Sequence, residues 1–232
     1  VVIAIDGPAG AGKSTVARAL ARHLGFTYLD TGAMYRCVGL LWLRAPDEEP
    51  AALAGASEIA FAAGGGEDTG GVEGEGERHA AATTASAPRV LLEGRDVTAE
   101  IRSGEVSEAA SRVAALPAVR QALVARQRAL LAHGDWVADG RDIATAVAPG
   151  AELKVFLTAD AAERARRRAT ELGGEPARIM AEQALRDERD STLGRSSLEP
   201  APGAIALDTT GMTIEQVVER IAAMARAAGA PV

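Results

Sequence analysis

Residues 7–14 read GPAGAGKS, a full match to GxxxxGK[ST], and the stretches on either side of it decide the fold. Residues 1–6 (VVIAID) are a short apolar run of strand length. Over residues 15–24 apolar side chains recur at helical spacing. Strand, glycine loop and helix are the context in which this pattern binds phosphate. Its three glycines let the backbone curl so that N–H groups face inward. The helix that opens there adds the positive end of its dipole. Lys13 has the reach for β- and γ-phosphates, and the Ser14 hydroxyl suits Mg²⁺. Lysine is scarce elsewhere: Lys154 is the only other one among 25 basic residues.

Further strand-like runs lie at residues 27–29, 136–139, 153–158 and 204–207, with helical patterns between them. Alternation of this kind predicts an α/β fold, a five-stranded parallel sheet with helices on both faces. Ligands of such sheets bind at the carboxyl ends of the strands. Helices are expected at 103–115 and at 117–133, where Pro117 suits a first helical position. Residues 89–97 (RVLLEGRDV) read as two short strands around a Glu93-Gly94 turn. The tract 64–87 contains GGGEDTGGVEGEGE and no aromatic residue, a composition expected of a mobile surface insertion.

The 232 residues are enough for one large α/β domain carrying an inserted lobe. Hydrophobic residues make up 47% and aromatics 3%, so alanine, valine and leucine must fill the core. A net charge of −7 argues against nucleic-acid binding as the main activity, so an anion site must be a local arginine cluster. Cys37 is the sole cysteine, which excludes an intrachain disulfide or a zinc site of several cysteines. No stretch resembles a signal peptide or a spanning helix; a cytoplasmic monomer without a membrane partner is expected.

The strand ends carry the chemistry. Residues 30–36 (DTGAMYR) bring Arg36 into the first turns of a helix, where it suits an incoming anion or simply the solvent. Residues 138–142 (ADGRD) place Asp139 where a Mg²⁺-side carboxylate is expected, with Arg141 and Asp142 beside it. Residues 163–168 (ERARRR) put Arg164, Arg167 and Arg168 on one helical face. They suit charge that develops in phosphoryl transfer, or a solvated face paired with Glu163 and Glu171. Arg186 and Asp190, four apart, make either a helix salt bridge or a pair that reads a sugar hydroxyl. No general base stands out. An acceptor that is already an ionised phosphate needs none, but it needs cations to meet a second polyanion.

With these pieces in place, the chain resembles the bacterial cytidylate kinases nearly end to end. The likeness runs through IDGPAGAGKST, LDTGAMYR, DVTAEIRSGEVSEAASRVAALPAVR, ADGRDIATAV and RDERDST. The third of these blocks is the most specific. The resemblance implies transfer of phosphate from ATP, with Mg²⁺, to CMP and dCMP. It implies one P-loop kinase domain over 1–232, an acceptor-binding lobe over 34–135 that includes 64–87 and a small antiparallel sheet, and a lid with its following helix over 159–192. Gly7, Pro8, Ala9, Gly10, Ala11, Gly12, Lys13, Ser14 and Thr15 would hold ATP, and Ser14 the metal. Thr31, Ser111, Arg120 and Asp142 would surround the cytosine, Arg36 and Arg141 the acceptor phosphate, and Arg186 and Asp190 the ribose. Lys13, Arg141 and the lid residues Arg164, Arg167 and Arg168 would act in transfer.

The chain departs from that family after Asp190, where an arginine is usual three residues on. Leu193 stands there, and Arg195 follows Gly194. Either Arg195 supplies the guanidinium or the contact is lost. Two other readings remain at this stage: a P-loop kinase for another small acceptor, and a nucleotide-dependent switch. The switch is disfavoured because the chain contains no asparagine and hence no NKxD guanine motif.

Overall fold

The computed structural model describes residues 1–62, 89–192 and 199–230. The tract 64–87 and the trio Leu193, Gly194 and Arg195 lie outside the described residues. In chain order the elements begin with β1 (Val2–Asp6), α1 (Lys13–Leu24), β2 (Thr27–Asp30), α2 (Thr31–Arg44), α3 (Pro50–Ala56) and β3 (Ile59–Ala62). Next come β4 (Arg89–Leu92), β5 (Arg95–Asp96), α4 (Gly104–Val113), α5 (Pro117–Leu131) and β6 (Trp136–Asp139). The chain ends with β7 (Leu153–Thr158), α6 (Ala161–Leu172), α7 (Pro176–Thr192), β8 (Ile205–Asp208) and α8 (Ile214–Ala227).

Among the described residues the main sheet has five strands in the order β2-β6-β1-β7-β8, and every neighbouring pair is parallel. β1 is central, with Ile3 opposite both Val137 and Leu153. Its alternation splits the core. Ile3 and Ile5 face a cluster with Leu20, Leu157 and Ile221, under α1 and α8. Ala4 faces the other cluster, with Leu29, Met34, Leu123 and Ile143. Both faces are covered, as expected of a parallel sheet. No helix among the described residues is long and apolar enough to cross a membrane.

Local chemistry sets the helix ends that matter for the site. Gly12, at φ 82°, leads into α1, and Gly25, at φ 71°, ends it. Asp30 accepts a hydrogen bond from the Ala33 N–H at 2.8 Å and caps α2, so no turn separates β2 from the helix. Ser103 caps α4 through the Val106 N–H, and Pro117 opens α5. α2 and α4 pack closely: a Cβ on Gly39 would lie 2.7 Å from the Ala110 nitrogen, next to Ser111. The expected turn at Glu93-Gly94 joins β4 to β5 with both residues at positive φ. β3 was not read from the sequence, because IAFA carries no polar alternation; it pairs antiparallel with β4, Ile59 opposite Leu92.

Candidate active site

The loop between β1 and α1 holds three cations on three successive carbonyls. The Gly7 carbonyl accepts from Arg141 Nη1 at 3.3 Å. The Pro8 carbonyl accepts from Lys13 Nζ at 2.8 Å, and the Ala9 carbonyl from Arg164 Nη1 at 2.7 Å. Gly7 must be glycine: its φ is 148°, and a Cβ would sit 2.0 Å from the Leu157 carbonyl oxygen. Burial and then the Arg141 charge pull the Lys13 ammonium down, Asp139, Asp6 and Asp187 oppose the fall, and the balance lies at about 7. Burial is thus the main force against the charged lysine, and nearby carboxylates offset only part of it.

Asp139, at the end of β6, is 3% exposed. Its carboxylate accepts from Ser14 Oγ at 2.7 Å and from the Tyr28 hydroxyl at 2.8 Å. Its carbonyl accepts from Thr31 Oγ1 at 2.7 Å. Burial and then the Asp30 charge raise its pKa, the Ser14 bond, Lys13 and the Tyr28 bond oppose them, and the balance lies at about 6. A buried carboxylate short of positive charge, bonded to a serine hydroxyl, fits Mg²⁺ as a hard oxygen-loving cation. No trio of His, Cys, Asp or Glu gathers to hold a metal among the described residues. The donor set here therefore suits an ion shared with a ligand's phosphate oxygens.

One cleft of about 900 Å³ runs from this loop past the ends of β2 and β6. Of the loop residues, Ala9, Gly10, Gly12, Lys13, Ser14 and Thr15 line it, while Gly7, Pro8 and Ala11 are buried and do not. Across the cleft stand Thr31, Arg36, Ser111 and Arg120, with Arg141 and Asp142 on the wall after β6. Arg36 pairs with Asp30 at 3.1 Å and so is held at the cleft edge, not loose in solvent. Arg120 and Asp142 meet at 3.5 Å. Burial raises the Asp142 pKa to about 6 against the pull of Arg120. The carboxylate of Asp6 accepts the Ile143 N–H at 2.9 Å and the Ala144 N–H at 2.8 Å, which fixes the backbone just after Asp142.

The three arginines of α6 divide. Arg164 turns from the cleft toward the phosphate loop and Asp187. Arg167 lines the cleft, donates to Glu163 at 2.9 Å, and reaches the Thr209 carbonyl at 2.7 Å. The sequence left Glu163 pairing open, and Arg167 makes that pair while still facing the cleft. Arg168 also lines the cleft. Arg186 and Asp190 lie on α7; their side chains are not among those described. Arg195 is outside the described residues.

Sequence reasoning missed Asp187, Gln183, Tyr28 and Asp6. Asp187 lay unnoticed inside the run RDERD. The usable signal was spacing: 183 and 187 are four apart on α7 and share a face, and both are buried. Tyr28 carried no motif at all; only its register opposite Val137, beside Asp139, brings its hydroxyl there.

A phosphate loop on a parallel sheet, a serine–aspartate pair and converging guanidinium groups define a P-loop phosphotransferase. The comparisons narrow the class. The sequence pattern of the Cytidylate kinase family matches residues 3–227. The chain is 45% identical over 233 residues to a cytidylate kinase from Symbiobacterium thermophilum, covering 95% of this chain and 94% of that protein. It is 47% identical to one from Desulfitobacterium hafniense, covering 94% and 90%. It is 44% identical to one from Pseudomonas aeruginosa, covering 95% and 93%. The chain belongs to the cytidylate kinase family. Among solved structures its fold is similar to that of an uncharacterized protein from Eubacterium ventriosum, with a TM-score of 0.52, 11% identity and 98% of each chain covered. At that identity the likeness concerns the fold alone.

Proposed function

We propose that this protein transfers the γ-phosphoryl group of ATP to CMP and dCMP. The observation that carries the reading is a single cleft with the phosphate loop at one end and the Arg120–Asp142 pair at the other. A cytosine offers an exocyclic amine, which Asp142 and Thr31 accept, and a ring nitrogen and carbonyl that match Arg120 and Ser111. Arg36 and Arg141 hold the acceptor phosphate, and Arg186 and Asp190 the ribose. Gly7 through Thr15 hold the ATP phosphates, Lys13 beside the β,γ-bridge. Ser14, with Asp139, would hold Mg²⁺, which supplies positive charge to the phosphate oxygens. Lys13, Arg141, Arg167 and Arg168, which line the cleft, stabilise the charge that grows on the phosphoryl group in flight, and Arg164 adds its charge from its place on the Ala9 carbonyl.

In this reading residues 34–135 form the acceptor lobe, 159–192 the lid with its following helix, and Gly173-Gly174 a hinge. Both glycines have positive φ, 74° and 107°. Arg195 replaces the guanidinium that Leu193 lacks; Arg195→Ala should then raise KM for CMP roughly tenfold. A silent Arg195→Ala would remove that replacement and leave the rest.

The test is equilibrium binding of CMP and UMP by calorimetry, with wild type and Asp142→Ala. UMP presents a carbonyl where CMP presents the amine, so it should bind wild type at least roughly a hundredfold more weakly. The variant should lose most of that preference. Equal affinities of wild type for CMP and UMP would remove the pyrimidine reading.

A further inference from the structure

We propose that Asp187 is a positioning residue whose buried carboxylate fixes the guanidinium groups of Arg141 and Arg164 on the outer limb of the phosphate loop. The inference rests on the phosphotransfer reading above and adds a residue to it. Asp187 sits on α7 inside the run RDERDST, at a position to which sequence reasoning assigned no role. It is 6% exposed, as is Gln183 one turn earlier, and these two put α7 against the loop. A Cβ on Gly10 would lie 2.3 Å from Gln183 Nε2, so nothing separates helix from loop there.

The Asp187 carboxylate accepts three hydrogen bonds. Oδ1 takes the Ala9 N–H at 2.9 Å and Arg141 Nη1 at 3.2 Å; Oδ2 takes Arg164 Nη1 at 2.8 Å. The same two nitrogens also hold the Gly7 and Ala9 carbonyls. Each guanidinium is therefore pinned at two points, one on the loop and one on Asp187. Burial pushes the Asp187 pKa up, but the Ala9 N–H, Arg164 and Arg141 outweigh it, and the carboxyl ends below its usual range. It stays ionised at neutral pH.

Three cations on three adjacent carbonyls repel one another; Arg141 already lowers the pKa of Lys13, and Asp187 counters it. A fixed anion among them lets the cations converge before any nucleotide arrives. An arginine side chain loses rotamer freedom when it is held, and fixing it in advance removes that cost from the transfer step. Arg164 Nε remains buried with no partner among the described residues, a donor that the pinned geometry leaves open.

The experiment compares wild type, Asp187→Asn, Arg164→Ala and the double variant, all well below their melting temperatures, with ATP and CMP. Wild type is measured first. If it does not turn over CMP, the functional reading fails, and the Asp187 question moves to ratios of variant to wild type with the acceptor that is used. The inference expects Asp187→Asn to lower kcat at least roughly tenfold while KM for CMP changes less than about threefold. It also expects the double variant to lose less than the product of the two single losses, because Asp187 and Arg164 share one contact while the hold on Arg141 is a separate one. A kcat for Asp187→Asn within threefold of wild type would overturn it, as would losses that multiply in the double variant. If Asp187→Asn does not melt cooperatively, Arg164→Lys serves instead. Lysine keeps the charge on a flexible stem without the planar, pre-organised guanidinium, so kcat should fall at little-changed KM, and a wild-type kcat would overturn the inference.

Discussion

Binding of ATP should draw a proton out of solution, and Lys13 is the group that takes it. In the nucleotide-free protein burial and Arg141 hold the Lys13 pKa at about 7, against an ordinary 10.5. β- and γ-phosphates beside the ammonium favour its charged form and restore the higher value. Between the two values the free protein binds fewer protons than the complex, so binding takes protons up and apparent affinity falls as pH rises through 7. Uptake should be a measurable fraction of a proton near neutral pH and should grow as pH rises above the lowered free-state value. Asp139, at about 6, is almost fully ionised at pH 7.5 and contributes little there. The assay is titration calorimetry with Mg-ATP in buffers of different ionisation enthalpy; the slope of observed heat against buffer enthalpy counts the protons. Lys13→Met should reduce the slope to near zero while keeping a cooperative melt, and kcat should fall at least roughly a hundredfold. No uptake by wild type between pH 7 and 8.5, or proton release, would refute a lysine held below its ordinary pKa by burial and Arg141.

Asp142 should set the acid limb of CMP binding. Its carboxyl, raised to about 6, is ionised above that pH and loses its acceptor role below it. KM for CMP should therefore rise roughly tenfold from pH 7.5 to pH 5, and Asp142→Asn should flatten the part of the profile due to this group. Tyr28→Phe deletes one of the two side-chain donors to the buried Asp139 carboxylate. It should cost about 1–3 kcal/mol in urea unfolding and raise the Mg²⁺ concentration needed for half-maximal rate; no change in either would make the hydroxyl incidental. A bisubstrate analogue should protect residues 163–174 from amide exchange, as expected of a lid closing toward Thr209 and the loop. Unchanged exchange at saturation would exclude that segment as the lid.

The sheet and the phosphate loop were legible because their signals are local. VVIAID before GPAGAGKS fixes β1, the loop and α1 within twenty-four residues, and the structure places them there. The later strands were readable for the same reason, each being a short apolar run. Asp139 and Asp142 were found because strand ends are where such sheets bind ligands. Asp187 was not, because its role depends on how α7 lies across a loop some 178 residues earlier in the chain. Tyr28 was missed for a related reason: a hydroxyl on a buried strand says nothing until the neighbouring strand and its register are known. Arg164 shows the limit of helical spacing. Spacing groups it with Arg167 and Arg168, but its contacts lie with Asp187 and the loop while the other two line the cleft.

Whether one cleft joins ATP to a cytosine nucleotide is read from ADP production from ATP with CMP, dCMP, UMP, AMP and GMP in turn, each over a range of concentration. kcat/KM for CMP and dCMP should exceed that for UMP by at least roughly a hundredfold, since Asp142 would meet a carbonyl in place of the amine, and purine nucleotides should be poorer still. Equal kcat/KM for CMP and AMP would contradict the cytosine reading.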